Sequence, residues 1–224
     1  MKKNKIAFQG ELGAYSHIAA KNFFKDPIIL PCTTFEEAFS SAFKDETLKI
    51  IIPIENSLAG RVADIHYLLQ KYKLQIYAEH FQPVEHNLLA KAGANIEDIK
   101  FVRSHAQAIG QCQNIIAEKK FETIISADTA GSAKDLALGN NNTIAAIASE
   151  LSAEIYKLKI LKKNIEDEKG NVTRFLIMGK NVQQPEFKQD KKFITTCIFR
   201  LKSEPSALYK SLGGFATNQI NLTK

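Results

Sequence analysis

The side chains most able to do chemistry cluster in a few short segments. Glu55-Asn56-Ser57 sets an acid, an amide and a hydroxyl in a row, and Ser104-His105-Ala106-Gln107 adds a hydroxyl, an imidazole and an amide. Ala14-Tyr15-Ser16, which follows Gly10 and Gly13, and Asp128-Thr129-Ala130 supply hydroxyls where helices should start. Asn171-Val172-Thr173-Arg174-Phe175 joins an amide, a hydroxyl, a guanidinium and a ring. Such a set can hold a small anion and offer it a proton, because helix-start N–H groups and a cation accept carboxylate while hydroxyl and carboxyl groups donate. Any one segment also reads as a capped turn, since Ser, Thr and Asp cap helices throughout proteins. Their recurrence just after strands favours a ligand, because open α/β sheets bind ligands at the carboxyl ends of their strands.

Within the last segment, an extended backbone puts Asn171, Thr173 and Phe175 on one face and Val172 and Arg174 on the other. Arg174 then has two readings, a solvated surface cation or a guanidinium turned towards an anion by strand twist. Other chemistries have less support. Gly10-Glu11-Leu12-Gly13 lacks the third glycine of a dinucleotide fingerprint and the Gly-Lys-Ser/Thr of a phosphate loop. The five histidines, His17, His66, His80, His86 and His105, form no His-x-x-x-His pair, so no metal is expected. Ser57, His105 and Asp128 could be drawn as a hydrolytic triad, but no Gly-x-Ser-x-Gly turn presents a nucleophile.

The elements that must position these groups follow from periodicity. Short Ile, Val and Phe runs alternate with helical segments up to about residue 180, the pattern of an α/β domain with mostly parallel strands. Strands are expected at Ile6 to Gln9, Ile28 to Leu30, Lys49 to Ile52, Phe101 to Arg103, Thr123 to Ser126, Thr143 to Ile147, Lys157 to Ile165 and Arg174 to Met178. Helices are expected from Ser16 to Phe24, Thr34 to Phe43, Ala106 to Lys119, Asp128 to Leu138 and Ala148 to Tyr156. Thr34-Phe35-Glu36-Glu37 has capping-box spacing. Leu74 to Ala90 reads as extended and is interrupted by Pro83. The expected layout is one unit over 1–182, with lobe 1 at about 1–78 and 160–182 and lobe 2 at about 79–159. A polar linker follows at 183–192, then a short unit at 193–224 with a strand from Phe193 to Leu201 and a helix from Ser206 to Leu212. A strand and a helix enclose no core by themselves, so this unit must dock or pair.

The 224 residues carry 30 Lys and Arg against 24 Asp and Glu, a net charge of +6 that suits anionic ligands without choosing among them. The paired lysines at Lys2-Lys3, Lys119-Lys120, Lys162-Lys163 and Lys191-Lys192 are scattered and lack aromatic partners, so they read as solvated surface and not as a nucleic-acid groove. No apolar run approaches the roughly 18 residues of a membrane span, and no apolar stretch follows the basic start, so a cytoplasmic location is expected. Cys32, Cys112 and Cys197 are far apart and read as core thiols.

Taken together and in order, the segments resemble the prephenate dehydratase family. The resemblance covers Lys5 to about Lys180: Gly10-x-x-Gly13-Ala14-Tyr15-Ser16, Pro53-Ile54-Glu55-Asn56-Ser57, His86-x-Leu88-Leu89, Ser104-His105-x-Gln107-Ala108 with Gln111-Cys112, Asp128-Thr129-Ala130, and Asn171-x-Thr173-Arg174-Phe175. It implies an α/β catalytic domain of two lobes, similar to periplasmic binding proteins, followed by a partial α+β ACT-like segment. The chemistry implied is conversion of prephenate to phenylpyruvate, carbon dioxide and water in phenylalanine biosynthesis, with no cofactor. The tail, with Pro205-Ser206-Ala207-Leu208 and Asn221-Leu222-Thr223-Lys224, is similar to the first half of a phenylalanine-binding ACT domain. By that likeness Ala207, Leu208, Asn221 and Leu222 would face the phenylalanine effector, and the assembly would be a homodimer or homotetramer. The chain departs from the pattern where Ser206 replaces a usual glycine, where Ala106 replaces a usual proline, and where no Glu-Ser-Arg-Pro follows the tail.

By resemblance, Thr173 donates to the leaving hydroxyl, with Glu55 as the competing acid. Arg174 and the helix starts near Ser16, Ser104 and Thr129 would hold the side-chain carboxylate. Asn56, Ser57, Ser104, His105, Gln107, Ala14, Tyr15 and Asn171 would shape the pocket, and Phe175 would give the departing carboxylate an apolar wall. Two rival readings stand beside this one, an arogenate dehydratase, which would reward an acid near Arg174, and a binding module that catalyses nothing.

Overall fold

A computed structural model describes residues 3–62, 64–183 and 185–222. Lys2, Gln184 of the expected linker, and Thr223 and Lys224 of the ACT-like segment lie outside the described residues. The chain divides into two compact units after Pro185.

In the first unit, β1 (Lys5–Gln9) leads through α1 (Tyr15–Phe23) to β2 (Ile28–Cys32), and α2 (Phe35–Lys44) leads to β3 (Leu48–Asn56). A short β4 (Gly60–Arg61) folds back on β3 before α3 (Asp64–Tyr72) and β5 (Gln75–Pro83). The chain then crosses to a second sheet. Its elements are β6 (Asn87–Ala90), β7 (Phe101–His105), α4 (Ala106–Gly110), α5 (Gln113–Lys119), β8 (Glu122–Ser126), α6 (Thr129–Leu138), β9 (Ile144–Ala148), α7 (Glu150–Tyr156) and β10 (Lys159–Lys162). β11 (Val172–Gly179) returns to the first sheet, whose order is β2-β1-β3-β11-β5 with β11 antiparallel to both neighbours. The second sheet runs β10-β6-β9-β7-β8. The lobe boundaries therefore differ from those read in the sequence. All of β5 belongs to the first sheet, and β10 pairs with β6 in the second, so the return comes at β11 and not near residue 160.

Each sheet is covered on both faces, which is why its central strands are continuously apolar instead of alternating. Ile50 and Ile52 pack with Phe39, Leu68 and Leu176 against α2 and α3, whereas Ile51 packs with Ile6, Phe8, Phe175 and Ile177 against α1. All three isoleucines are fully buried. Each contributes about 1.5–3 kcal/mol relative to exposure. In the second sheet Val102 and Ile147 pack on α4 and α5, and Leu89 and Ala146 on α6 and α7.

Local signals act as their chemistry dictates at several helix starts. Thr34 accepts from the Glu37 N–H while Glu37 reaches back to the Thr33 N–H, and Ser149 caps α7. One helix expected over Ala106 to Lys119 is two, because the chain breaks at Gln111-Cys112. The new start at α5 is capped from afar by Asp167, whose carboxylate takes the Gln113 and Asn114 N–H groups at 2.7 and 3.0 Å.

The second unit holds α8 (Ala207–Thr217). The expected strand from Phe193 to Leu201 has no ladder. An extended segment becomes a strand only by pairing, and among the described residues of this unit none is assigned to a strand. Cys197 is exposed, unlike the buried Cys32 and Cys112. No helix among the described residues is long and apolar enough to cross a membrane.

Candidate active site

The order β2-β1-β3 sends the loops after β1 and β3 to opposite faces of the first sheet, opening a crevice at the carboxyl ends of those strands. β11 lies beside β3 there, with Thr173 directly opposite Asn56. Their side chains meet, and the Asn56 Nδ2 donates to Thr173 Oγ1 at 3.0 Å and to Asn171 Oδ1 at 2.6 Å. The Asn56 amide has one possible orientation. Its Oδ1 accepts the Leu58 and Ala59 N–H groups at 3.0 and 2.8 Å, so Nδ2 must face Thr173. Because the Thr173 oxygen receives a hydrogen bond, its own proton becomes a better donor, and among the described residues no group accepts it.

The amide chain continues across the lobes. Asn171, 3% exposed, donates from Nδ2 to Gln111 Oε1 at 2.7 Å. That oxygen also accepts from His86 Nε2 at 3.0 Å, and His86 Nδ1 meets the Tyr15 hydroxyl at 3.0 Å. The Tyr15 hydroxyl shares its one proton between His86 Nδ1 and the Glu85 carbonyl at 2.6 Å, and the His86 backbone N–H donates to the Glu166 carboxylate at 2.9 Å. Burial pushes the Tyr15 hydroxyl well above its usual pKa and His86 below its own, the latter against a weaker opposing pull from Gln111 and Glu166. Ser57 joins the same region through the backbone, accepting from the Val172 N–H at 3.0 Å.

Several residues read from the sequence sit elsewhere. Arg174 is on the opposite face of β11 from Thr173, where its Nε and Nη2 contact Glu79 Oε2 of β5 at 2.8 and 2.7 Å. Strand alternation prevailed, and Thr173 and Arg174 do not face one ligand together. Glu55 lies opposite Arg174 and Arg61 in register, so it also faces away from Thr173. Phe175 is 1% exposed within the α1-side core and forms no wall of a cleft. Ser104 is fully buried and gives its proton to the Ile147 carbonyl at 2.6 Å.

The three expected anion-binding helix starts reduce to one. The Asp128 carboxylate already holds the Gly131 N–H at the start of α6, so Thr129 stands beside a negative charge. At α4 the Gln107 N–H is taken by His105 Nδ1 at 3.2 Å, and the helix is five residues long, with the Gln107 side chain exposed. At α1 the capping position is Ala14, which has no side-chain acceptor, leaving the start near Tyr15 and the buried Ser16 uncapped.

The loop before α1 also docks on the second lobe. The Gly13 carbonyl accepts from Ser149 and Ser152 hydroxyls at 2.6 and 3.1 Å, the Leu12 carbonyl accepts from Tyr156 at 2.9 Å, and Glu11 pairs with Lys134 at 2.9 Å. A cavity of about 310 Å³ lies between α1, the end of β5 and α7. Glu85, Glu150 and Glu154 outnumber Lys21 in its lining, so it is electrostatically unsuited to a dianion. Among the described residues no group of three or more His, Cys, Asp or Glu is placed to hold a metal ion.

Three positions escaped sequence reasoning in their roles. Gln111 and His86 stand in segments noted for resemblance, but neither offered a local signal, since their partners are 60 and 25 residues away. Glu79 was missed for the same reason, lying 95 residues from Arg174.

Fold and site together define a two-lobed α/β domain with an amide-braced hydroxyl at the mouth of its first sheet. Residues 6–183 match the model of the prephenate dehydratase family, and the chain belongs to that family. It is 40% identical over 220 residues to an Arabidopsis thaliana protein named arogenate dehydratase/prephenate dehydratase 2, covering 98% of this chain and 57% of the other. A Komagataeibacter europaeus protein named as a bifunctional N-acyl-homoserine lactone acylase/prephenate dehydratase is 39% identical over 222 residues, covering 98% and 78%. The solved prephenate dehydratase of Arthrobacter aurescens in complex with L-Phe superposes with a TM-score of 0.84 at 26% identity, covering 98% of this chain and 74% of that one. The chain thus spans little more than half the length of the Arabidopsis relatives it matches.

Proposed function

We propose that this protein catalyses the decarboxylating dehydration of prephenate to phenylpyruvate, with Thr173 as the donor to the departing hydroxyl. The observation that carries the reading is the Asn56 amide, locked by two backbone N–H groups and aimed at Thr173 Oγ1 at 3.0 Å. Breaking the ring C–C bond to the carboxylate releases carbon dioxide, and its electron pair expels the hydroxyl as the ring becomes aromatic. The leaving oxygen takes up a proton and departs as water. A neutral hydroxyl is a weak acid, but a preorganised donor aimed at developing negative charge is worth several kcal/mol. The uncapped start of α1 supplies N–H groups for the substrate's other carboxylate. With Arg174 held by Glu79, the guanidinium acts on the site through the stability of β11 and β5 and not by direct contact.

An ACT-like role for the second unit, with phenylalanine bound near Ala207, Leu208, Asn221 and Leu222 of a homo-oligomer, belongs to the same reading. The L-Phe complex of the Arthrobacter relative supports phenylalanine as the effector. The test is to give purified protein prephenate and arogenate separately and to follow phenylpyruvate and phenylalanine. An N-acyl-homoserine lactone serves as a third substrate because one relative is named for that activity. Phenylpyruvate from prephenate is expected. Turnover of arogenate alone would move the assignment to that substrate, and turnover of neither would leave a binding module.

A further inference from the structure

His86 lies outside the residues to which the proposed reaction gives a role, yet it closes the amide chain that ends at Thr173. The chain fixes its own hydrogen positions. The Leu58 and Ala59 N–H groups hold Asn56 Oδ1, so Asn56 Nδ2 faces Asn171 Oδ1. Asn171 Nδ2 must then face Gln111, which can answer only with Oε1. An oxygen there requires His86 Nε2 to carry hydrogen. Gln111 Oε1 is therefore gripped by two donors, one from each of the two segments that join the lobes.

We propose that His86 is a positioning residue for the Thr173 donor, acting through its Nε2–H on Gln111. Without that donor Gln111 is held at one point and its amide is free to turn. A turned amide presents N–H to the Asn171 N–H, two donors in conflict. Asn171 is nearly enclosed, so it has no water to turn to. Its Oδ1 then no longer holds Asn56 Nδ2 in place beside Thr173. The other ring nitrogen, facing Tyr15, has no such route to the reacting hydroxyl.

This inference rests on the Thr173 reading, and its test separates the two. Gln and Asn at this position place an amide N–H near the former Nε2 and Nδ1 respectively. His86→Leu is expected to lower kcat about ten-fold, the equivalent of one net hydrogen bond, with KM unchanged within about two-fold. His86→Gln should restore most of kcat, and His86→Asn should not. In a cycle with Asn56→Ala, the His86→Leu loss should disappear, because the residue through which it acts is gone. Full kcat in His86→Leu, equal rescue by Asn and Gln, or losses that multiply in the cycle would each overturn the inference. If His86→Leu fails to fold, the Gln and Asn pair still decides it. If Thr173→Val keeps full kcat, the underlying reading has failed instead.

Discussion

Replacing Thr173 by valine changes a hydroxyl for a methyl of nearly the same size, so it tests the donor with little loss of packing. In the ground state the cost is small. Asn56 Nδ2 loses one acceptor at 3.0 Å but keeps Asn171 Oδ1 at 2.6 Å, and its Oδ1 keeps both backbone donors. One neutral hydrogen bond of this kind is worth about 1 kcal/mol, which lowers Tm by about 2–4 °C in a unit of this size. In the transition state the loss is that of a donor to developing oxyanion charge, about 2.7–4 kcal/mol, or 100- to 1,000-fold in kcat. The assay is phenylpyruvate formation from prephenate, with thermal unfolding on the same samples. Thr173→Ser, which keeps the hydroxyl, should stay within about ten-fold of the parent. Retention of kcat by Thr173→Val together with its abolition in Glu55→Gln would refute the reasoning, as would a kcat loss matched by loss of folded protein.

Further predictions rest on other parts of the structure. Gly13 has a φ of +93°, and a Cβ there would lie 2.5 Å from Ser152 Oγ and 2.8 Å from its Cα. Gly13→Ala should therefore lower stability by at least about 2 kcal/mol, read by denaturant unfolding. Glu79→Gln should leave kcat within about three-fold while lowering stability by about 1 kcal/mol or more, since Arg174 is then a framework cation; a hundred-fold kcat loss without destabilisation would return Arg174 to the site. Burial lowers the pKa of both His17 and His86 below the ordinary 6.5. The unfolded chain then binds more protons just below that pH, so stability is full above about 6.5 and falls as pH drops through the folded values, by at most about 1.4 kcal/mol per pH unit for each histidine. His17→Asn should flatten this slope, and an unchanged slope would show that His17 does not contribute. In a Cys197→Ser background, a short bis-methanethiosulfonate bridge between Glu11→Cys and Lys134→Cys should leave kcat within about three-fold; inactivation that a reductant reverses would show that this side of the cleft opens in turnover.

Short-range pattern settled most of the secondary structure. The Ile50-Ile51-Ile52 run could only be a strand covered on both faces, and Thr34 with Glu37 fixed the start of α2. Period-two alternation even separated Thr173 from Arg174, and the register of β11 obeyed it. Where one rule met another, the pairing partner decided. Phe193 to Leu201 has strand composition and no strand structure, because β propensity stabilises nothing without a ladder to join.

The sequence by itself determined the α/β alternation, the positions of most helices and the group of residues within which a donor had to be found. Tertiary structure decided which partner each of them takes. Asp128 caps its own helix and so withdraws Thr129, Ser104 gives its proton to a neighbouring strand, and Glu79 takes Arg174. Gln111 and His86 enter through contacts spanning 60 and 25 residues. The physical reason is one of range. Periodicity and capping are set by neighbours within a turn or two, whereas a buried polar atom must take whatever partner the register of two sheets brings to it.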